Sequence, residues 1–153
     1  VENKRPIPQK YVLVYEVVEH ESVIEQAKQY AKMIDARVVI LSAYINYNEK
    51  KFRDYVASPS EFVNYIRFAE CVFTSSFHGT AISIICNTDF YSFKQHNASD
   101  LRISSLLGVA DLNDRFVDMS DKLSIKHIDF SHALAKLGKA NEVSKAFIKE
   151  SLA

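Results

Sequence analysis

Short apolar runs that alternate with helix-patterned segments limit the fold of this chain more than any other feature. The first two runs, Tyr11–Tyr15 and Arg37–Leu41, are rich in β-branched and aromatic residues and are apolar on both faces, as buried strands are. Between them, apolar residues recur at helical spacing from Val23 to Ile34. Three further strands are predicted at Glu70–Thr74, Asp89–Phe93 and Arg115–Val117. This alternation predicts an α/β domain built on an open, mostly parallel sheet with helices on both faces.

Local signals predict where the helices begin and end. Ser22–Glu25 has the form of a capping box. Ser58–Glu61 combines a serine cap, a proline at the first helical position and a glutamate at the third. A third helix is predicted from about His78 to Cys86, and Asn87 is expected to stop it in the left-handed conformation.

The remainder of the chain is also predicted to be largely helical. A helix over Ser99–Leu107 is expected to end at Gly108, because glycine readily takes the left-handed conformation after a helix. The tail from Asp129 has helical character, and Gly138 or Asn141 is expected to divide it.

Length, charge and cysteine content exclude several classes of protein. The chain of 153 residues fits one domain, residues 1–153, with a proline-punctuated, linker-like opening over residues 1–10. Nineteen basic residues balance nineteen acidic ones, so no global field indicates a nucleic-acid partner. No apolar run approaches the ~20 residues that a membrane-spanning helix needs. Cys71 and Cys86 lie in apolar segments, which predicts reduced thiols in a cytoplasmic protein and no metal site.

The segment Thr74–Thr80 is the first candidate site, because it follows a predicted strand and opens a helix. In open parallel sheets, ligands bind outside the carboxyl ends of the strands. The unpaired N–H groups of the helix start and the hydroxyls of Ser75 and Ser76 suit an anion, and Gly79 lets a ligand approach the backbone. His78 is placed to act as a general acid or base. The alternative is structural, with serines that only cap the helix and a histidine that satisfies a backbone carbonyl.

Polar residues after the fourth predicted strand form a second candidate cluster. Lys94 or Arg102 is expected to neutralise a phosphate or a carboxylate, the arginine through a bidentate fork. Tyr15 and Glu16, at the end of the first strand, also reach the expected ligand edge. Arg115 is expected to have a structural role as the partner of neighbouring aspartates.

Several motifs, taken in order, resemble those of one family. The motif segments are Pro59–Phe62, Val72–Ala81, Phe90–Tyr91, Arg102–Leu107 and the spacing Leu112-x-x-Arg115. They are similar to the "Pro-x-Glu-Phe", "Thr-x-Ser-Phe-His-Gly" and "Arg-Ile-x-x-Leu-Leu … Leu-x-x-Arg" motifs of the polysaccharide pyruvyl transferases. The resemblance runs from about Tyr11 to Phe116, with a family-like helical tail after it.

The resemblance implies an enzyme that transfers a pyruvyl group from phosphoenolpyruvate to a sugar diol as a ketal, in cell-surface or exopolysaccharide biosynthesis. It implies a saccharide acceptor and no metal or organic cofactor. Members of the family are similar to two-domain glycosyltransferases of the GT-B type. By that likeness the chain would be a Rossmann-like C-terminal half, inactive without the missing N-terminal domain. The implied location is cytoplasmic, with peripheral attachment to the inner face of the membrane as an option.

The resemblance also assigns roles to individual residues. His78 matches the histidine of the family motif and would be catalytic. The donor-binding set would comprise Ser75, Ser76, Gly79, Thr80, Lys94 and Arg102. Many members carry Arg-Leu-His where this chain has Ser76-Phe77-His78, so Arg102 or Lys94 is expected to supply the missing positive charge.

Two other functions fit the same pattern. The nucleotide-sugar half of a GT-B glycosyltransferase would share the fold and the helix start, and it predicts an apolar slot for a base beside the turn. A non-catalytic α/β interaction module predicts a buried, hydrogen-bonded His78 with no cavity next to it.

Overall fold

Parallel strands form a single sheet in the computed structural model, which describes residues 3–16, 20–42 and 57–151. The strands are β1 (Tyr11–Glu16), β2 (Arg37–Ser42), β3 (Cys71–Thr74), β4 (Phe90–Phe93) and β5 (Phe116–Val117). The helices are α1 (Glu21–Met33), α2 (Pro59–Arg67), α3 (Phe77–Cys86), α4 (Asp100–Ala110) and α5 (Phe130–Ser151), with a 3-10 turn at Asn113–Arg115. The predicted α/β architecture is confirmed.

The strand order determines where the chain changes direction across the sheet. The order is β2-β1-β3-β4-β5, and every neighbouring pair in the described sheet is parallel. From β1 the chain goes to one side to form β2 and then returns to the other side to form β3. A crevice therefore opens at the carboxyl ends of β1 and β3, the usual position for a ligand in such a sheet.

One face of the sheet packs against α1. The buried side chains of α1 include Val23, Ile24 and Ala27. They pack in one cluster with Val14 of β1 and Phe73 of β3. The rings of Tyr30, Phe73, Tyr91 and Phe93 add edge or tilted aromatic contacts in the same cluster.

The other face carries the remaining helices. Ile66 of α2, Ile84 of α3 and Leu107 of α4 pack with Leu13 and Val72 of the sheet. Ala133 of α5 is buried in the same cluster. Because helices cover both faces, the strands are apolar on both faces, as their sequences indicate.

The predicted helix starts have different outcomes. The capping box at α2 is confirmed, since the Ser58 side chain accepts from the Glu61 N–H and the Glu61 carboxylate accepts from the Ser58 N–H. The capping box predicted at Ser22 is wrong, because α1 begins two residues earlier than that cap requires, with His20 at the cap position. The amide of His20 is held by a carboxylate at the end of β1, and the Ser22 hydroxyl donates to the Met119 sulfur instead.

Two glycines do not end helices as predicted. Helix α4 continues through Gly108 and stops at Asp111, which takes the left-handed conformation at φ 60°. The Leu112 N–H then donates to the Leu107 carbonyl at 2.8 Å, and burial of Leu112 fixes this stop. Helix α5 also runs through Gly138 without a break, since an exposed glycine costs only about 1 kcal/mol in a helix.

The opening segment packs on the domain. Ile7 is buried in the same cluster as α2, and the Arg5 guanidinium lies 5.8 Å from the centre of the Phe68 ring. The Arg5 Nε also donates to the Ile7 carbonyl at 2.9 Å. Within the described ranges, none of the helices is long and apolar enough to cross a membrane.

Candidate functional site

The candidate site lies at the crevice between β1 and β3. Tyr15 and Thr74 are paired in register, so Glu16, the last residue of β1, lies beside Ser75, the first residue after β3. The Thr74 hydroxyl donates to the Tyr15 carbonyl at 2.5 Å and accepts the Ser76 N–H at 3.0 Å. These two bonds fix the turn from β3 into α3 against the end of β1.

Gly79 allows α3 to pack closely on β3. A Cβ at this position would lie 2.5 Å from the Thr74 hydroxyl oxygen, which is far inside normal contact. The Gly79 N–H is directed to the Ser76 hydroxyl at 3.4 Å. The glycine predicted to admit a ligand therefore has a packing role in the structure, and its role in donor binding remains a prediction.

The start of α3 retains free donor capacity. The Ser76 hydroxyl caps the Gly79 N–H, and the Ser76 carbonyl accepts the Thr80 N–H at 3.0 Å. The Thr80 hydroxyl is buried, bonded to the Ser76 carbonyl and, at 2.6 Å, to the Ser92 hydroxyl. The first N–H groups of a helix have no intrahelical acceptor, and those of Phe77 and His78 have none elsewhere among the described residues, so they are available to an anion.

His78 and Arg102 both lie close to the Phe77 ring. His78 is exposed, with its ring edge-on to Phe77 at 5.9 Å between centroids. The Arg102 guanidinium lies 5.7 Å from the centre of the same ring. An open groove of about 510 Å³ runs along α4, and Phe77 and Arg102 are among its lining residues. The exposed His78 does not match the buried histidine that a non-catalytic module predicts.

Lys94 is engaged by an acidic partner. Its Nζ lies 2.8 Å from the Asp118 carboxylate, which also pairs with His96 at 2.9 Å. The hydrogen bond to Asp118 raises the pKa of Lys94, and the same bond lowers the pKa of Asp118. Of the two cations predicted to hold the donor, Arg102 has no carboxylate partner among the described residues. Arg102 is therefore the better candidate.

Glu16 is part of a buried pair that the sequence does not predict. Its side chain is fully buried, its Oε1 lies 2.9 Å from His20 Nδ1, and its Oε2 accepts the His20 N–H at 3.0 Å. Burial raises the pKa of Glu16, while the bonds from His20 oppose that shift. The one sequence signal that could have identified this pair is its spacing. A glutamate ends a predicted strand, and a histidine follows it four residues later, before a helix.

Ser75 brings an unused hydroxyl to the same place. The residue is 2% exposed, and its Oγ has no hydrogen-bond partner in the described part of the chain. The hydroxyl faces the Glu16 carboxyl closely enough to lower its pKa, without completing a bond of normal geometry. Its backbone carbonyl accepts Gln95 Nε2 at 2.9 Å, which ties the turn to the loop after β4.

Arg115 has the structural role that the sequence indicates. It is buried at the amino edge of the sheet, the side where the parallel strands begin. Its guanidinium donates to the Lys126 carbonyl at 2.7 Å and to the Phe90 carbonyl at 3.4 Å. Its Nε lies 3.9 Å from Asp114, whereas Asp111 pairs with His132 instead. Among the described residues, no group of three or more metal-ligating side chains comes together.

A sequence model of the family described as polysaccharide pyruvyl transferase matches residues 1–97, well over half of the chain. No curated protein matches the chain. Among solved structures, a glycotransferase of kitacinnamycin is similar at 13% identity and a TM-score of 0.49. The alignment covers 89% of this chain and 36% of that protein, so the chain spans about a third of its length.

Proposed function

This chain belongs to the polysaccharide pyruvyl transferase family, and we propose that it transfers a pyruvyl group from phosphoenolpyruvate to a sugar diol as a ketal. The observation that carries the proposal is the position of His78. It is exposed at the start of α3, at the carboxyl edge of the sheet, and within the residues that the family model matches. The setting has the features that a small, highly charged donor requires.

The donor carries a phosphate and a carboxylate, and the start of α3 suits both. The open N–H groups of Phe77 and His78, together with the positive end of the helix dipole, favour an anion. The Ser75 hydroxyl supplies a further donor beside the turn. Arg102, held over Phe77 without a carboxylate partner in the described ranges, supplies a fixed positive charge.

The proposed reaction moves two protons. A proton adds to the methylene carbon of phosphoenolpyruvate, and C2 becomes electrophilic. One sugar hydroxyl then attacks C2 and loses its proton, and the bond from C2 to the phosphate oxygen breaks with its electron pair on phosphate. The neighbouring hydroxyl closes the ketal and loses the second proton. In the overall balance, the proton gained by the new methyl group equals one of the two lost by the hydroxyls, and the released phosphate takes up the other.

His78 is proposed as a proton-handling or phosphate-contacting residue in this scheme. A positioned side chain that transfers a proton in the transition state typically contributes about 10²- to 10⁴-fold in rate. Lys94, Ser76, Gly79 and Thr80 are proposed to support the donor site. Ser76, Gly79 and Thr80 would act mainly by holding the turn, because their polar groups already bond to one another.

We further propose that the chain acts as the C-terminal half of a GT-B-like enzyme. An N-terminal domain would then complete the cleft and bind the saccharide acceptor, and the chain alone would be inactive. The proposed setting is cell-surface or exopolysaccharide biosynthesis on the cytoplasmic side of the membrane, with no organic or metal cofactor.

The test is acceptor-dependent phosphate release by the full-length protein. Phosphoenolpyruvate is supplied with methyl galactoside or methyl mannoside, phosphate is measured, and mass spectrometry identifies the product. The proposal predicts phosphate release together with a pyruvylated sugar. Absence of phosphoenolpyruvate binding, combined with thermal stabilisation by a nucleoside diphosphate, would instead support the nucleotide-sugar alternative.

A further inference from the structure

The carboxyl edge of the sheet carries a second imidazole besides His78. His20 precedes α1 on one face of the sheet, and His78 lies in the first turn of α3 on the other face. Both therefore border the crevice between β1 and β3. His20 is 29% exposed, so part of its ring faces solvent at this edge.

Glu16 fixes the orientation of the His20 ring. Its two carboxylate oxygens accept the His20 N–H at 3.0 Å and contact the ring Nδ1 at 2.9 Å. A carboxylate that accepts from Nδ1–H holds the neutral ring in one tautomer and leaves Nε2 as a proton acceptor. Since the Glu16 side chain is 0% exposed, water does not compete for these bonds.

The histidine–aspartate pairs at the other edge have a different geometry. His127 is 85% exposed and pairs with Asp89, and His132 is 52% exposed and pairs with Asp111, which is itself 61% exposed. The His132–Asp111 pair is a surface contact, of the kind that contributes little to stability, whereas Asp89 is buried and its ring partner is almost fully exposed. Only the Glu16–His20 pair, among the described pairs, combines a fully buried carboxylate with a partly exposed ring at the ligand edge.

The Ser75 hydroxyl is an independent sign that this place binds a ligand. Ser75 is only 2% exposed, and its hydroxyl faces the Glu16 carboxyl. The hydroxyl has no hydrogen-bond partner of normal geometry among the described residues. A buried hydroxyl without a partner costs roughly 1–3 kcal/mol, so proteins retain such groups where a ligand or water satisfies them.

We propose that His20 is a second proton-handling residue of this site, that Glu16 positions it, and that Ser75 contacts the bound donor or acceptor beside it. This inference rests on the proposed pyruvyl transfer, because that reaction needs a group that takes protons from hydroxyls as well as one that delivers a proton to carbon. His20 Nε2 accepts the proton of the attacking sugar hydroxyl while the oxygen forms its bond to C2 of the donor. His78, on the other side of the crevice, serves the methylene carbon or the phosphate.

The inference is tested in the full-length protein with phosphoenolpyruvate and methyl galactoside or methyl mannoside. His20→Gln is expected to lower kcat by about 10²- to 10⁴-fold with KM for phosphoenolpyruvate changed less than about 3-fold. Glu16→Gln is expected to lower kcat by about 10-fold and to change the ¹⁵N signature of the His20 tautomer. His132→Gln is the matched control, an exposed histidine at the amino edge, and should retain kcat within about 2-fold.

Chemical rescue separates catalysis from structure. His20→Gly keeps a residue accepted before a helix, and added imidazole is expected to restore part of its kcat. Retention of wild-type kcat by His20→Gln, while His78→Ala loses activity, would overturn the inference and leave the proposed function intact. A wild-type protein that neither binds phosphoenolpyruvate nor releases phosphate would overturn both.

A measurement on the wild-type protein decides the matter if the variants do not fold. The His20 ring resonances are expected to shift when phosphoenolpyruvate and the methyl glycoside are added together. Resonances that stay unchanged, while those of His78 move, would contradict a role for His20 at the bound substrates.

Discussion

The two edges of the sheet carry the same kinds of polar residue and use them differently. At the amino edge, the Asp89 carboxylate accepts from His127 at 2.5 Å and from the Ile128 N–H at 2.8 Å. The buried Arg115 there donates to two backbone carbonyls. These bonds tie the segment before α5 to the start of β4, so the polar groups of this edge are used within the fold.

At the carboxyl edge, several polar groups are not used in hydrogen bonds or ion pairs that hold the described part of the fold together. Ser75 has an unpartnered hydroxyl in the described structure, and His78 and Arg102 are exposed beside the start of α3. We propose that these groups bind the donor at the carboxyl edge, whereas the similar groups at the amino edge hold the fold together.

The largest contrast is between two exposed histidines. His78→Ala is expected to lower kcat for phosphate release by about 10²- to 10⁴-fold, because the proposed reaction depends on proton transfer or phosphate contact at this ring. His132→Ala, at the amino edge, is expected to leave kcat within about 2-fold. Steady-state kinetics with phosphoenolpyruvate and a methyl glycoside measure both. Equal activity of the two variants would remove His78 from the mechanism.

Arg115 provides the strongest test of the amino edge. Arg115→Ala is expected to lower the free energy of unfolding by about 2–4 kcal/mol, since it removes a fully buried side chain and leaves two carbonyls without their donor. Urea denaturation followed by circular dichroism measures the change. A loss below about 0.5 kcal/mol would show that this edge does not depend on its buried arginine.

Gly79 tests the packing that positions the site. Gly79→Ala places a Cβ 2.5 Å from the Thr74 hydroxyl oxygen, so we expect a loss of about 1–3 kcal/mol despite the better helix propensity of alanine. The double variant Thr74→Ala/Gly79→Ala removes the shortest contact of this Cβ, to the Thr74 hydroxyl, and should be more stable than the sum of the single changes predicts. Strict additivity in urea denaturation would contradict the close contact between α3 and β3.

Arg102 tests the binding side with the smallest expected effect. Arg102→Ala is expected to weaken phosphoenolpyruvate binding by about 10-fold, with the free energy of unfolding changed by less than about 0.5 kcal/mol. Isothermal titration calorimetry and urea denaturation measure the two quantities. Lys94→Ala is the matched comparison, and a larger loss of affinity there would transfer the charge role from Arg102 to Lys94.

The parts of the fold that the sequence predicts correctly depend on local signals. The capping box at Ser58 and the left-handed stop at Asn87 are fixed by residues within one turn, and both occur in the structure. The errors arise where distant contacts decide. Gly108 does not end α4, because burial of Leu112 moves the stop to Asp111.

The candidate site follows the same rule. The position of His78 follows from a strand, a turn and a helix that are adjacent in the sequence. The Glu16–Ser75 contact depends on the parallel pairing of β1 with β3. In the sequence, 54 residues lie between the last residue of β1, Glu16, and the first residue of β3, Cys71. The packing role of Gly79 depends on the side chain of Thr74 in β3. The hydrophobic periodicity of the sequence does not predict that these two residues touch.

Donor binding at the carboxyl edge, and not at the amino edge, is tested most directly by titrating phosphoenolpyruvate into the ¹⁵N-labelled full-length protein while backbone amide shifts are followed. We expect the largest shifts at Phe77 and His78, and little change at Asp89 and Ile128. Shifts concentrated at the amino edge, or none at any concentration that saturates turnover, would contradict it.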